Sequence, residues 1–339
     1  WLPRQVTLPM FVTGVPAGLR TTQVTTADTA ALTKLVRDME VEYFGRTETN
    51  DTEIRGVLTS PELRGSRNCV GLWDGDELVA TMLAFDGLEH GRGLHTDLFI
   101  SPQLPNRGEV ARCLLDGGQA FASTLPFGPG DYLKCESFGN DDDVAQTLQD
   151  LGYESHRSYL RMRLDFDDAP EPGSPPEGLT ARRMTDDDWQ AMHGVITAAF
   201  RDHYDSHPLP LELFRQDSVN ETTDFDRWRL VCDGPQCVGV CIASNRYAAH
   251  GLGYVENIGV LREYRGRGIA TYLLRDAFRR DHDKGLRGTS LHCDATNETG
   301  ATRLYESVGM SRDQEYVAWR VAPGGQDRSR PGHNRDHES

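Results

Sequence analysis

The feature that most constrains the fold of this chain is an internal repeat. The stretch PAGLRTTQVTTADTAALTKLV begins at Pro16, and the similar stretch PEGLTARRMTDDDWQAMHGVI begins at Pro176. Each predicts a short strand, a Thr- and Asp-rich helix cap, and then a helix with apolar periodicity. The chain is therefore expected to fold one supersecondary pattern twice.

Each half then continues with the same kind of hairpin. CVGLWDGDELVATMLAF and LVCDGPQCVGVCIAS carry Asp-Gly at 74–75 and 233–234, a dipeptide typical of tight β-turns. The halves also end alike, with TLQDLGYESHRSYLRMRL and RLYESVGMSRDQEYVAWRV. Strands that alternate with helices predict two copies of one α/β unit, each built around a mixed sheet.

A break in composition separates the two copies. DDAPEPGSPPEG, residues 167–178, is rich in prolines and acidic residues that cannot bury a core, so it predicts a linker. The tail PGGQDRSRPGHNRDHES is poor in apolar residues and predicts disorder. The expected organisation is a first domain at 16–166, a linker at 167–177, a second domain at 178–322 and a disordered tail at 323–339.

Charge and composition exclude several classes of protein. A formal net charge of −16 argues against a nucleic-acid partner, because phosphate neutralisation needs Lys and Arg. No apolar run approaches the ~20 residues of a membrane helix, so no membrane partner is expected. The seven cysteines include no C-x-x-C pair and are interpreted as reduced thiols of a cytoplasmic protein.

The stretch EYRGRGIATYLL, residues 263–274, lies between a predicted strand, GYVENIGV, and a predicted helix, ATYLLRDAFRRD. Its glycines allow backbone N–H groups to converge at the helix start, where an anion such as a phosphate binds. Arg265 and Arg267 add positive charge. A glycine-rich connection that binds nothing explains the turn equally well when the turn is considered alone.

The following segment, LHCDATNETGATRLYESVGM, predicts a strand at 291–295, a helix cap at Asn297, a short helix and a helix-ending Gly309. Together with the R-x-x-G-x-A turn, it resembles the GNAT superfamily of acyl-CoA N-acyltransferases. The resemblance covers residues 178–320 strongly and the first copy weakly. It implies an α/β fold of two tandem GNAT-type domains, similar to the mycothiol synthase group. Each domain would be a mixed, mostly antiparallel sheet with splayed parallel central strands and flanking helices.

The resemblance also implies acetyl-CoA as the acyl donor, positioned where two parallel strands separate. The pantetheine chain would pair with the backbone of 258–260, and the pyrophosphate would lie on the N–H groups of 267–270. The implied donor-binding residues are Ile258, Gly259, Val260, Arg265, Gly266, Arg267, Gly268, Ile269, Ala270 and Asn297.

Tyr305 matches the general acid of the family, although a tyrosine on an apolar helix face is also an ordinary core residue. The base is left open among Glu256, His292 and Asp294, with an ordered water chain as a further alternative. Strand alternation would place Glu256 on the same face as Tyr254, Ile258 and Val260.

The stretch AAFRDHYDSHPLPLELF falls where this fold covers its acceptor site. Its residues Asp202, His203, Tyr204 and Asp205 could hold an amine by charge and by cation–π contact, or they could form a solvated helix end. The two histidines of this stretch, at 203 and 207, are followed by prolines, so no metal site is expected.

The first copy has lost the motif. With 114–115 aligned to 273–274, Asn106, Arg107 and Glu109 replace Arg265, Gly266 and Gly268, and Leu148 and Cys135 replace Tyr305 and His292. A carboxylate at the turn would repel a pyrophosphate. The first domain is therefore predicted to be a degenerate GNAT-like unit without catalytic activity.

The resulting hypothesis is an N-acetyltransferase that moves acetyl from acetyl-CoA to a primary amine of a small molecule, such as an amino sugar, antibiotic or metabolite. Alternatives are an N-acetyltransferase for proteins or peptides, and a non-catalytic acyl-CoA-binding regulator. An aminoacyl-tRNA donor is disfavoured because no basic patch is present. A monomer or homodimer is expected.

Overall fold

The computed structural model describes residues 12–63, 67–88, 93–128, 131–201, 209–296 and 300–322. It divides into two compact units. The first unit takes in the described residues up to Ser158 and those from Glu315 onward, and the second unit runs from Tyr159 to Gln314.

The strands are β1 (Arg20–Gln23), β2 (Cys69–Asp74), β3 (Glu77–Asp86), β4 (Leu94–Ile100), β5 (Leu133–Phe138), β6 (Glu154–Asp165), β7 (Thr180–Arg183), β8 (Arg229–Asp233), β9 (Gln236–Ser244), β10 (Leu252–Val260), β11 (Gly288–Asp294) and β12 (Ser311–Val321). The helices are α1 (Thr29–Phe44), α2 (Asp51–Leu58), α3 (Arg107–Ala122), α4 (Asp142–Asp150), α5 (Trp189–Ala199), α6 (Leu211–Ser218), α7 (Ile269–Asp283) and α8 (Ala301–Ser307).

The sheet of the first unit has the strand order β1-β2-β3-β4-β5-β12. Every pairing in it is antiparallel except that of β4 with β5. One core, which includes Leu114 and Leu115 of α3, packs on one face, and a second core, which includes Leu32 and Leu35 of α1, packs on the other. The sheet is thus covered by helices on both faces.

The second unit repeats this plan with the strand order β6-β11-β10-β9-β8-β7, in which only β10 and β11 pair in parallel. Leu273 and Phe278 of α7 lie in the core of one face, and Met192 of α5 packs with Trp228 in the core of the other. The predicted mixed, mostly antiparallel sheets with flanking helices are confirmed.

The repeated Thr-x-x-Asp sequences form equivalent structures in the two units. The backbone N–H of Thr25 donates a hydrogen bond to the Asp28 carboxylate at 2.8 Å, and Thr185 does the same with Asp188 at 2.8 Å. These capping boxes satisfy N–H groups that the start of a helix leaves without intrahelical partners. They place the first long helix of each unit at the same point of the repeat.

The chain passes from one unit to the other at two strands, so that each of these strands pairs in a different unit from the helix that precedes it. Strand β6 follows α4 of the first unit, yet its residues 159–165 pair with β11 of the second unit. Strand β12 follows α8 of the second unit, yet its residues 316–321 pair with β5 of the first. The sequence-based boundaries at 166 and 178 stay a prediction, and the compact units divide the chain at Ser158 and Glu315 instead.

All seven cysteines lie among the described residues, and each is a free thiol. Within those same ranges, no helix combines the length and the apolar composition that crossing a bilayer requires. The tail at 323–339, which the sequence predicts to be disordered, lies outside the described residues.

Candidate functional site

The parallel strands β10 and β11 of the second unit pair over only four residues each. The register runs from Leu252 opposite Gly288 to Val255 opposite Leu291, and neither strand ends there. At the same point β10 carries a bulge against β9, because Val255 is paired with Ala243 whereas Asn257 is paired with Ile242. Glu256 is the extra residue of this bulge.

The bulge corrects the expectation that Glu256 shares a face with Tyr254, Ile258 and Val260. An inserted residue reverses the alternation of side chains along the strand. Val255 and Ile258, an odd number of positions apart, therefore pack into the same core beneath α7. Tyr254 points to the other face, where its ring contacts Tyr247 at 5.1 Å between centroids.

A cavity of about 530 Å³ lies at the gap between the two strands. Its lining includes nearly all of the residues that the sequence motif singled out for the donor. They are Ile258, Gly259, Val260, Arg265, Gly266, Gly268, Ile269 and Ala270, together with the catalytic candidates Glu256, His292, Asp294 and Tyr305.

The glycine turn forms one end of this cavity. Gly266 and Gly268 adopt left-handed backbone conformations, with φ of 76° and 82°, which favour glycine. Gly268 is the N-cap of α7, so the first N–H groups of the helix, from Ile269 onward, lie at the cavity wall without intrahelical acceptors. The partial positive charge of a helix start favours an anion at this place.

The two arginines of the turn have different surroundings. Arg265 donates to the backbone carbonyl of Ala199 at 3.3 Å and lines the cavity. The guanidinium of Arg267 lies over the ring of Tyr264, 5.1 Å from its centroid, and is not among the cavity-lining groups. The structure thus brings Arg265 to the predicted site and directs Arg267 onto a neighbouring ring.

Tyr305 enters the cavity from α8 and is only 7% exposed. Burial raises the pKa of its hydroxyl far above the ordinary value for tyrosine, and the neighbouring Cys293 and Cys241 add to the shift. Tyr305 therefore keeps its proton across the physiological pH range. A protonated hydroxyl in a dry site can donate a hydrogen bond or a proton to an anion that forms beside it.

The carboxylate of Glu256 is held by a residue that the sequence analysis did not identify. The hydroxyl of Ser244, at the end of β9, donates a hydrogen bond to Glu256 Oε1 at 2.7 Å. Ser244 is 5% exposed, so this contact fixes a half-buried carboxylate against the sheet. No sequence motif marks Ser244, because the contact depends on how β9 pairs with β10 around the bulge.

The other two candidate bases also hold specific contacts. The hydroxyl of Tyr254 lies 2.9 Å from Nδ1 of His292, whose side chain is exposed. Asp294 accepts a hydrogen bond from the backbone N–H of Thr296 at 2.8 Å. His292 and Asp294 therefore line the cavity on β11, opposite Glu256 on β10.

A second cavity, of about 610 Å³, lies on the α6 side of the sheet. Its walls come from α6, the turn at 220–223, the end of β9 and the bulge of β10. Glu256 lines both this cavity and the first one. One carboxylate thus separates two concave spaces of similar size.

Five residues proposed from the sequence cannot be placed. Asp202, His203, Tyr204 and Asp205, predicted to hold an acceptor, and Asn297, predicted to contact the donor, lie outside the described residues.

The first unit differs at the corresponding turn. Its helix α3 already begins at Arg107, which aligns with Gly266, so ordinary helix replaces the left-handed turn of α7. Arg107 forms an ion pair with the buried Asp141 at 2.5 Å, and the Tyr43 hydroxyl also donates to that carboxylate at 2.8 Å. Asn106 donates to Glu109 at 3.0 Å. The side chains of Asn106 and Arg107 at this helix start are thus engaged in bonds within the first unit.

The cavity at the end of the β4–β5 pairing measures about 210 Å³, less than half of the corresponding volume in the second unit. Its lining includes three carboxylates, those of Asp97, Glu136 and Asp141. Leu148 and Cys135, aligned with Tyr305 and His292, have no exposed surface and belong to the hydrophobic core.

Sequence comparison identifies the family that the second unit resembles. Residues 189–310 match the model of the acetyltransferase (GNAT) family. A mycothiol acetyltransferase of Geodermatophilus obscurus is 27% identical over 307 residues, which cover 87% of this chain and 95% of the relative. A mycothiol acetyltransferase of Arthrobacter sp. (strain FB24) is 28% identical over 240 residues, covering 68% of this chain and 70% of that protein.

Solved structures have the same fold. A GCN5-related N-acetyltransferase from Sphaerobacter thermophilus superposes with a TM-score of 0.76 and 23% identity, over 90% of this chain and 96% of the other. A tandem GNAT protein from the clavulanic acid biosynthesis pathway gives a TM-score of 0.63 at 14% identity, over 91% of this chain and 100% of the other. The predicted tandem GNAT fold class is confirmed.

Proposed function

Because the chain belongs to the GNAT family of acetyltransferases, whose donor is acetyl-CoA, we propose that it transfers acetyl to a primary amine of a small molecule, using the site in its second unit. The observation that carries the proposal is that three candidate functional features line the same cavity. The glycine turn at the start of α7, the bulge carboxylate Glu256 and the protonated Tyr305 all line it.

The donor site requires a place for a pyrophosphate and a place for an extended chain. The N–H groups at the start of α7 and the Arg265 guanidinium suit the pyrophosphate. The backbone of 258–260, at the open gap between β10 and β11, can pair with an amide-containing chain. The residues present therefore fit acetyl-CoA, which supplies a thioester as the activated acyl group.

Glu256 is the proposed base. It takes a proton from the acceptor ammonium, so that the neutral amine nitrogen can form a bond to the acyl carbon as the bond to sulfur breaks. Its hydrogen bond from Ser244 holds the carboxylate in place for this step. Tyr305 is the proposed acid and gives its proton to the departing thiolate, and the second proton that the nitrogen loses as the amide forms restores the tyrosine hydroxyl. Glu256 is preferred over His292 because it alone of the two also lines the second cavity.

The first unit is proposed to have no acetyl-CoA site. At its helix start an ordinary helical turn replaces the glycine turn, and Arg107 forms an ion pair with Asp141. The corresponding cavity is also smaller, about 210 Å³ against about 530 Å³ in the second unit.

Calorimetric titration of the full chain with acetyl-CoA, followed by a thiol-release assay over a panel of amines, tests the proposal. The panel includes the unacetylated form of mycothiol, since relatives of about 27% identity carry the name mycothiol acetyltransferase. We expect one site per chain, and thiol release with at least one amine. Glu256→Gln should lower kcat about 100-fold or more and leave acetyl-CoA affinity unchanged.

Each part of the proposal has its own contrary result. Two sites per chain would show that the first unit also binds the donor. Binding without turnover on any amine would favour an acyl-CoA-binding regulator, and turnover on peptides alone would favour a protein or peptide acetyltransferase. No binding at all would refute the proposed donor.

A further inference from the structure

We propose that the second cavity, bounded by α6, the turn at 220–223, β9 and the bulge of β10, is the acceptor subsite. We further propose that it selects hydrophilic amines with at least one more protonated amino group beyond the one that reacts. The inference rests on the proposed acetyl transfer and names the class of amine that this site takes.

The position of the cavity is the first argument. An acceptor must reach the thioester from a space that communicates with the donor site, with the base at the junction. Glu256 lines both the 530 Å³ and the 610 Å³ cavities, and it is the proposed base. Asn257, the next residue of β10, also lines the second cavity. An amine held there lies on the opposite side of Glu256 from the donor.

The charge of the walls is the second argument. Asp217, at the carboxyl end of α6, and Glu221, in the following turn, both line the cavity. Neither side chain makes a hydrogen bond or ion pair with any residue that the structure describes. The negative end of the α6 dipole adds to their field. Carboxylates accept hydrogen bonds only, so their natural partners are ammonium groups.

Arg246 is the one cation among the lining residues that the structure describes, and it is fixed to one wall. The Arg246 guanidinium lies over the rings of Tyr247 and Tyr254, at 5.7 Å from each centroid. These cation–π contacts hold its charge at the β9–β10 side, away from α6. Among the described lining residues, the α6 side therefore carries the two carboxylates of Asp217 and Glu221 and no cation.

The remaining lining is mostly polar and explains why an apolar amine would bind poorly. Hydroxyl and amide side chains outnumber the apolar ones, and burying them against hydrocarbon would cost hydrogen bonds to water. The polar lining residues are Ser218, Asn220, Thr222, Thr223, Ser244 and Asn257. A cavity of 610 Å³ has room for an amine larger than a single lysine side chain.

A matched series of acceptors tests the charge preference directly. Cadaverine, 5-aminopentan-1-ol and pentylamine share one reacting amine and one chain length, and end in ammonium, hydroxyl and methyl. With saturating acetyl-CoA and the full chain, we expect kcat/KM to fall in that order, by about tenfold or more from first to last. The advantage of cadaverine should shrink as NaCl rises from 20 to 500 mM, because exposed charges are screened.

Two variants connect the preference to the cavity wall. Asp217→Asn and Glu221→Gln should each raise the KM for cadaverine about threefold, as expected for exposed ion pairs, and together about tenfold. The KM for pentylamine and the Kd for acetyl-CoA should not change. Glu212→Gln is the matched control, because Glu212 is an exposed carboxylate on the same helix that does not line the cavity.

The outcomes separate this inference from the proposed function. If pentylamine matches cadaverine, or if the control variant changes KM as much as the two wall variants do, the acceptor inference is wrong while acetyl transfer stands. The same holds if only amines outside the series, without a second charge, release thiol. If no amine releases thiol, the proposed function itself fails.

Discussion

Replacing Gly268 by glutamate should abolish acetyl-CoA binding while the second unit stays folded. Gly268 has φ of 82° and is the N-cap of α7, and a Cβ built on it meets no heavy atom within 4 Å. The substitution therefore introduces backbone strain and charge, but no steric clash. Gly268→Ala introduces the strain alone.

The two contributions can be estimated separately. A side chain in the left-handed region costs about 1–2 kcal/mol, which lowers the Tm of a unit of this size by about 2–8 °C. A carboxylate about 6 Å from a phosphate charge, at an effective dielectric constant of about 20, is repelled by about 3 kcal/mol. That repulsion corresponds to an acetyl-CoA Kd more than about 100-fold higher.

Gly285 supplies a matched control at the other end of α7. Its φ is 78°, a Cβ there also meets nothing within 4 Å, and it does not line the cavity. Gly285→Glu should lower the Tm about as much as Gly268→Glu and leave the Kd unchanged in calorimetric titration. A Gly268→Glu protein that binds acetyl-CoA within about threefold of the parent would refute the assignment of this turn to the pyrophosphate.

Four further predictions concern the acid, two glycines and the pH dependence of stability. Tyr305→Phe should lower kcat about 100-fold with little change in acetyl-CoA Kd, and comparable turnover would remove Tyr305 as the acid. Gly253→Ala should strongly destabilise the second unit in urea titration, because its Cβ would lie 1.7 Å from a buried carboxylate oxygen of α7. Gly194→Ala, with open space on an exposed helix face, should instead stabilise the unit by about 0.5–1 kcal/mol. A hydrogen bond from Arg182 lowers the pKa of Asp188 below its ordinary value, so the pair stabilises the fold above about pH 4 and less as the pH falls below it. Asp188→Asn should accordingly lower the urea midpoint more at pH 7 than at pH 3.

The parts of the site that the sequence predicted are those encoded in short contiguous segments. The glycine turn and the α8 helix with Tyr305 each lie within about fifteen residues, so local conformational rules suffice to find them. The strand that carries Glu256 was found for the same reason. Gly266, Gly268 and Tyr305 line one cavity, and their roles in binding and catalysis stay predictions.

The features that the sequence did not predict depend on contacts between separate segments. The bulge at Glu256 exists only in relation to the partner strand β9, and the Ser244 hydrogen bond to Glu256 follows from it. Likewise, nothing in the local sequence shows that Arg107 forms an ion pair with Asp141, 34 positions away. Sequence periodicity predicts which face of a strand a side chain occupies, but it does not show where a bulge inserts an extra residue and reverses the faces that follow.

The chain returns to the first unit only at β12, and this order has a consequence for synthesis on the ribosome. Tyr316 of β12 pairs with Phe138 of β5, which precedes it by 178 residues. The sheet of the first unit therefore stays incomplete until those residues have been synthesised. At about 5–20 residues per second, the delay is roughly 9–36 s. Throughout that time the edge of β5 that β12 will cover exposes backbone groups able to pair with another nascent chain. The vulnerable period of the first sheet thus ends only after β12 has emerged, and slowing translation should increase its dependence on chaperones.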